Sequence, residues 1–139
     1  MIVLDTNVVS ELMRRSPDPE VVAWIDRVPA EDVYLTAVTA AELRYGVERL
    51  PAGARRTTMT TRVDGLLTED FRDQILPFGA DEAAHYAWIV TARERAGRPI
   101  GLADAQIAAI CRRHGASLAT RNVKDFSGTR VVLYDPWSA

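Results

Sequence analysis

Met1-Ile2-Val3-Leu4-Asp5-Thr6-Asn7 opens the chain with four apolar residues, then three that suit a turn or a helix cap. So short an apolar run, stopped by capping residues, reads as a buried strand leading at once into a helix. The same alternation continues through the 139 residues. Val33-Tyr34-Leu35-Thr36 reads as a second strand and Gln74 to Phe78 as a third. Ser117-Leu118-Ala119-Thr120 is a fourth, and Arg130 to Tyr134 a fifth. Helical patterns fill the intervals. Val8 to Arg14 is short, and Glu20 to Val28 repeats its apolar residues at helical spacing before Pro29. Thr39 to Leu50, Ala54 to Asp70, Asp81 to Ala96 and Ala103 to His114 follow, the last two closed by Gly97 and Gly115. Strands and helices in alternation predict an α/β fold: a three-layer α/β/α sandwich around a central, mostly parallel sheet of about five strands.

The length suits a single domain over residues 1–139, enough to bury ~70% of the unfolded surface. Apolar residues at 47% and charged residues at 26% are ordinary globular composition. No apolar stretch approaches the ~20 residues of a membrane helix, and no signal peptide is read at the start. The lone Cys111 excludes an internal disulfide framework and a cysteine-based zinc site. The expectation is a cytoplasmic protein with no membrane partner. Charge is unevenly spread. Residues 1–90 hold fifteen acidic residues against nine arginines, and residues 91–139 hold eight basic residues against four acidic ones. All the basic residues except Lys124 are arginine. Arginine suits bidentate phosphate contacts, but a GC-rich genome gives the same bias.

In parallel sheets the functional crevice lies beyond the carboxyl ends of the strands. Asp5 follows strand one directly; Asn122 and Asp125 follow strand four. Glu42 and Asp104 fall early in the helices after strand two and before strand four. Each has a plain structural reading. Asp5 caps a helix, Thr39-Ala40-Ala41-Glu42 matches a capping box, Asp104 offsets a helix dipole, and Asp125 is a turn residue. Together they read differently. Clustered carboxylates raise one another's pKa and are costly to desolvate without a countercharge. A divalent cation removes that cost, and oxygen ligands without cysteine or suitably spaced histidine imply Mg²⁺ or Mn²⁺. Such an ion supports phosphodiester hydrolysis. Thr6 and Thr120 are candidates to support the ligands, and Asn7 to hold the loop after strand one.

Four blocks carry a resemblance. Met1 to Ser10, Thr39-Ala40-Ala41-Glu42-Leu43-Arg44-Tyr45-Gly46, Gly101 to Ala109 and Ala119 to Phe126 resemble, in order and spacing, PIN-domain proteins of the VapC toxin type. Tyr134-Asp135-Pro136-Trp137 is similar to that family's ending. The resemblance implies a PIN-like fold, an Mg²⁺- or Mn²⁺-dependent endoribonuclease, and a homodimeric toxin held by a small VapB-like antitoxin. It places Asp5, Glu42 and Asp104 at the acidic positions of the active site, with Asp5 and Asp104 as metal ligands. Many members carry a fourth acid where this chain has Asn122; Asp125 either substitutes for it or fixes the loop. That departure favours one tightly held ion.

Phosphate contacts are sought in the basic region: Arg93, Arg95, Arg98, Arg112, Arg113, Arg121, Lys124 and Arg130. Arg121 and Lys124 stand out as RNA-binding candidates because they flank the site. The helix over Arg55 to Arg62, with that over Val38 to Leu50, forms either a groove for an antitoxin helix or ordinary packing. Cys111 is read as a buried spectator. Two rivals stand beside the nuclease. One is a phosphatase with an aspartyl nucleophile, disfavoured because no second Asp follows Asp5 by two. The other is a non-catalytic PIN-like binding module.

Overall fold

Successive residues of a strand face opposite sides of a sheet, and in β1 (Ile2–Leu4) the two central positions separate accordingly. Val3 packs with Ile89, Ile107, Cys111 and Leu118 on one side. Leu4 packs with Val8, Val21, Leu43 and Val63 on the other. β1 is therefore sealed by helices on both faces, which is why its sequence is continuously apolar. This computed structural model describes residues 1–138.

β1 lies at the centre of a five-stranded parallel sheet in the order β3-β2-β1-β4-β5. The flanking strands are β2 (Val33–Thr36), β3 (Ile75–Leu76), β4 (Ser117–Ala119) and β5 (Leu133–Tyr134). One helical layer holds α1 (Thr6–Leu12), α2 (Pro19–Asp26), α3 (Ala37–Glu48) and α4 (Ala54–Gly65). The other holds α5 (Ala80–Arg95) and α6 (Leu102–His114). The three-layer arrangement expected from the sequence is the one observed.

Strands two and three continue the sheet to one side of β1, and strands four and five to the other. The chain thus reverses its direction of growth between β1 and β4, and the crevice at such a switch point is where α/β sheets bind ligands. Asp5 and Thr120 are the first residues past these two strands. The ladder reaches them: Asp5 N–H donates to the Ala119 carbonyl at 2.9 Å, and Thr120 N–H to that of Tyr134 at 2.9 Å.

Several boundaries depart from the sequence reading, each for a local reason. α1 begins at Thr6 rather than Val8, because Asp5 caps it. α3 begins at Ala37 rather than Thr39, because Thr36 is its cap and accepts the Thr39 N–H at 3.1 Å. The helix expected over Ala54 to Asp70 loosens into a π-turn at Leu66–Asp70. The third strand shortens to Ile75–Leu76. The fifth begins three residues after Arg130, which takes a left-handed φ of 61° incompatible with a strand. Gly115, at φ 62°, ends α6 in the left-handed conformation expected of a glycine C-cap.

Candidate active site

Asp5 anchors the rim. Its side chain is buried, with 5% of the residue exposed, and it accepts three hydrogen bonds. Thr6 N–H reaches Oδ1 at 2.8 Å, Thr120 Oγ1 reaches Oδ2 at 2.8 Å, and Asn7 Nδ2 approaches Oδ2 at 3.4 Å. The capping role is real but uses one oxygen; the other faces strand four. Thr120 is fully buried, and its hydroxyl also accepts from Asn122 N–H at 3.0 Å and Asn7 Nδ2 at 3.4 Å. With its acceptor capacity taken, its single proton is directed at Asp5. Asn7 completes the tie by accepting Arg121 N–H at 3.3 Å. It therefore holds the loop after β4 as well as its own.

Glu42 is not part of a capping box. α3 starts two residues earlier than Thr39-Ala40-Ala41-Glu42 suggests, so the Glu42 carboxylate is released from the helix end and accepts the Thr6 hydroxyl at 2.7 Å. That hydroxyl also lies 3.0 Å from the hydroxyl of Thr39, which is fully buried and which sequence reasoning passed over as a cap. Asp104 stands in the first turn of α6, after Gly101 at the cap, and no side chain caps that helix.

The charges of these groups act on one another. Burial raises the Asp5 pKa; the Thr120 and Thr6 hydrogen bonds lower it, and the negative charges of Glu42 and Asp125 raise it again. Asp104 is pushed up to about 6, first by loss of water and then by Asp5, Asp125 and Glu42, against a smaller opposing pull from Arg93. Four acids thus share one rim. Asp125 is exposed, yet its charge is felt at both buried Asp5 and half-buried Asp104. Asn122 contributes through its backbone N–H to Thr120, and its side chain does not cap the 3₁₀ turn that follows, Val123–Phe126.

Two hollows flank the rim. A groove of about 510 Å³ runs from Thr6 and Glu42 between α3 and α4, floored by Leu43, Val47, Met59 and Val63 and edged by Arg14, Arg15, Arg55 and Arg62. A cleft of about 200 Å³ lies at the other end, lined by Asp104, Asp125, Arg93, Gly101 and their neighbours.

Most of the basic residues singled out from the sequence are engaged elsewhere. Arg93 is buried, with its guanidinium on main-chain carbonyls, and cannot meet RNA. Arg112 and Arg130 both stack on Trp88, and Arg113 pairs with Asp81 at 3.3 Å. Arg121 is exposed but lies over Trp137, 4.9 Å from the ring centroid. Lys124 is exposed beside Asp125. Cys111 is fully buried, its thiol pKa raised mainly by loss of water.

The donor set fits a hard divalent cation. All the converging groups are carboxylates, two are partly or wholly withdrawn from water, and the charge pushing their pKa values up is what a cation neutralises. Among the described residues no three His, Cys, Asp or Glu side chains are grouped closely enough to hold a metal ion between them. Mg²⁺ is ordinarily held by only one or two carboxylates and keeps several waters, so an open half-shell is the expected geometry.

A fold with its switch-point crevice lined by carboxylates defines a class, and the sequence comparison agrees. The chain belongs to the PIN-domain family, whose profile matches residues 2–130; divalent-metal-dependent ribonuclease activity is general in that family. It is 42% identical over 137 residues to VapC ribonuclease Y4jK of Sinorhizobium fredii, covering 99% of this chain and 98% of that protein. Toxin FitB of Neisseria gonorrhoeae is also 42% identical over 137 residues, with 99% of each chain covered. The crystal structure of FitAcB from Neisseria gonorrhoeae matches with a TM-score of 0.94 at 41% identity, covering 100% of both chains.

The Asp104 shift has a consequence for stability. Its pKa in the folded protein, about 6, lies above the ordinary carboxylate value, so the metal-free fold binds this proton more tightly than the unfolded chain does. Ionised Asp104 therefore opposes folding above pH 6, and protonation relieves the strain. In EDTA, Asp104→Asn is expected to melt higher than wild type at pH 7.5, with the margin shrinking as pH falls through 6. A margin that does not change with pH would contradict the shared-charge picture.

Proposed function

We propose that this chain is the toxin of a type II toxin–antitoxin system and an endoribonuclease that hydrolyses RNA phosphodiester bonds with Mg²⁺ or Mn²⁺. The observation that carries the reading is the convergence of Asp5, Glu42, Asp104 and Asp125 at the switch point with little opposing positive charge. Asp5 and Asp104 are the direct ligands. A bound divalent cation supplies a water of lowered pKa and offsets charge on the leaving oxygen. Thr120 fixes the Asp5 carboxylate in one orientation, and Thr6 does the same for Glu42. Glu42 Oε1 accepts the Thr6 hydroxyl, leaving Oε2 to orient the attacking water. Asp125, rather than the uncharged Asn122, takes the fourth acidic position. Asn122 acts through its backbone on Thr120. Arg121 and Lys124, exposed on the turn after β4, meet the phosphates on either side of the cut. We read the protein as cytoplasmic, where its RNA substrates are, and as the homodimer that the family resemblance implies.

A degenerate PIN-like binding module would have no reason to keep the buried Asp5 and the half-buried Asp104 in mutual repulsion. An aspartyl phosphatase calls for a second Asp two residues after the nucleophile, and that position here is Asn7, which ties the loops together instead. The groove beside Glu42 fits an amphipathic antitoxin helix, its apolar floor taking the helix and its arginine edge taking acidic residues. Its end at Thr6 and Glu42 brings an occupant to the catalytic rim.

Asp5→Asn and Asp104→Asn are each expected to abolish cleavage of RNA while leaving the circular dichroism spectrum unchanged. Full activity in purified Asp5→Asn protein would refute the assigned site. For the groove, Met59→Glu is expected to weaken binding of a VapB-like antitoxin by about 10-fold or more, as a charge placed in an apolar contact does, and to leave RNA cleavage unchanged. Unaltered affinity would move the antitoxin to another face.

A further inference from the structure

Arg93 occupies the last turn of α5, four residues after the fully buried Ile89, and is itself only 7% exposed. A guanidinium withdrawn from water usually faces a carboxylate. The ion pairs among the described residues involve Arg14, Arg44, Arg56 and Arg113, and Arg93 is in none of them. Its donors go instead to main-chain carbonyls. Nε donates to Arg98 O at 2.6 Å, and one terminal nitrogen donates to Asp125 O at 2.6 Å and Ser127 O at 3.1 Å. Those acceptors lie on two separate segments. Arg98 belongs to the strap that leads through Gly101 into α6, where Asp104 sits in the first turn. Asp125 and Ser127 belong to the turn after β4. The same guanidinium lines the cleft shared by Asp104 and Asp125.

We propose that Arg93 is a positioning residue of the acidic site, fastening the strap before α6 and the turn after β4 to α5 so that Asp104 and Asp125 are held at the separation a divalent cation requires. This rests on the metal-dependent reading above. The chemistry of the contact favours it over a stabilising role alone. A planar fork with donors in fixed directions reaches carbonyls on two segments at once, which a single ammonium cannot do. Hydrogen bonds to carbonyls occupy Nε and one terminal nitrogen but leave the positive charge uncancelled. The negative charges placed to meet it are Asp104 and Asp125, across the cleft. Were firmness the only requirement, a well-packed apolar side chain would serve at less desolvation cost. Arg93 touches neither RNA nor the reacting atoms, so its effect passes through the two acids.

The test is an Mn²⁺ titration by calorimetry on the purified full chain, comparing wild type, Arg93→Gln, Arg93→Lys and Asp5→Asn. Loss of a group that orients metal ligands typically weakens metal affinity by about 10- to 100-fold, and Arg93→Gln is expected in that range. Arg93→Lys, which keeps the charge but not the fork, is expected to be weakened by a smaller factor. RNA cleavage by Arg93→Gln should demand correspondingly more Mn²⁺ and approach the wild-type kcat once Mn²⁺ saturates. A lowered melting temperature with wild-type Mn²⁺ affinity in the folded protein would overturn the proposal. Should the Gln variant not fold, wild-type affinity in Arg93→Lys would overturn it equally. The two failures separate cleanly. If wild type shows no saturable Mn²⁺ binding, the reading of the whole site falls and this proposal with it. If wild type binds, Asp5→Asn does not, and the Arg93 variants bind normally, only the role of Arg93 is lost.

Discussion

Negative charge gathered where it is expensive to keep is the constraint that organises this molecule. Asp5 lies between the ends of two central strands, buried, with Glu42 and Asp125 close enough to raise its proton affinity and, together with Asp5, that of half-buried Asp104. Few interactions in a small domain would tolerate that without compensation, since desolvating like charges together costs several kcal/mol in ordinary circumstances. The fold meets the cost in part. Thr120, buried beneath the rim, offers its only proton to Asp5, and its other contacts leave it no alternative. Thr6 and Thr39 do a similar service for Glu42. The remaining charge is what a bound cation would neutralise. Preorganised ligands that repel one another before binding release that repulsion on binding.

The parallel sheet explains why these particular residues meet. Growth away from β1 in two directions leaves a gap at the carboxyl ends of β1 and β4, and residues directly after either strand line it. α3 and α6 both begin at that edge, which brings Glu42 in the second turn of α3 and Asp104 in the first turn of α6 to the same rim. No long-range coincidence is needed beyond the strand order. The groove and the cleft on either side follow from the same geometry, one walled by α3 and α4, the other by α5 and the loop into α6.

Some of this was legible in the chain itself. The run Ile2-Val3-Leu4 ending on Asp5 marked the central strand and its acid, because continuous apolarity over so few residues suits a strand buried on both faces. Gly115 and the alanine-rich face of α6 were equally readable. Glu42 was ambiguous for a definite reason. Thr36 and Thr39 are both competent caps, and only the position of the first helical turn decides whether Glu42 faces the cap or the site. The choice between Asn122 and Asp125 depends on the 3₁₀ turn after Asn122, which no periodicity announces. Arg93 stands among the phosphate-contact candidates on charge, although its spacing from Ile89 puts it on the inward face of α5. Charge alone argued for exposure, and main-chain acceptors leave no trace in sequence. The left-handed Arg130 and the π-turn at Leu66–Asp70 were illegible for the same reason.

Anomalous diffraction at the manganese edge from crystals grown with Mn²⁺ puts the arrangement to its most direct trial. The account requires a peak bonded to carboxylate oxygens of both Asp5 and Asp104, at metal–oxygen distances of about 2 Å, with the remaining coordination positions held by water. A peak elsewhere, or one reaching only one of these two acids, would contradict it.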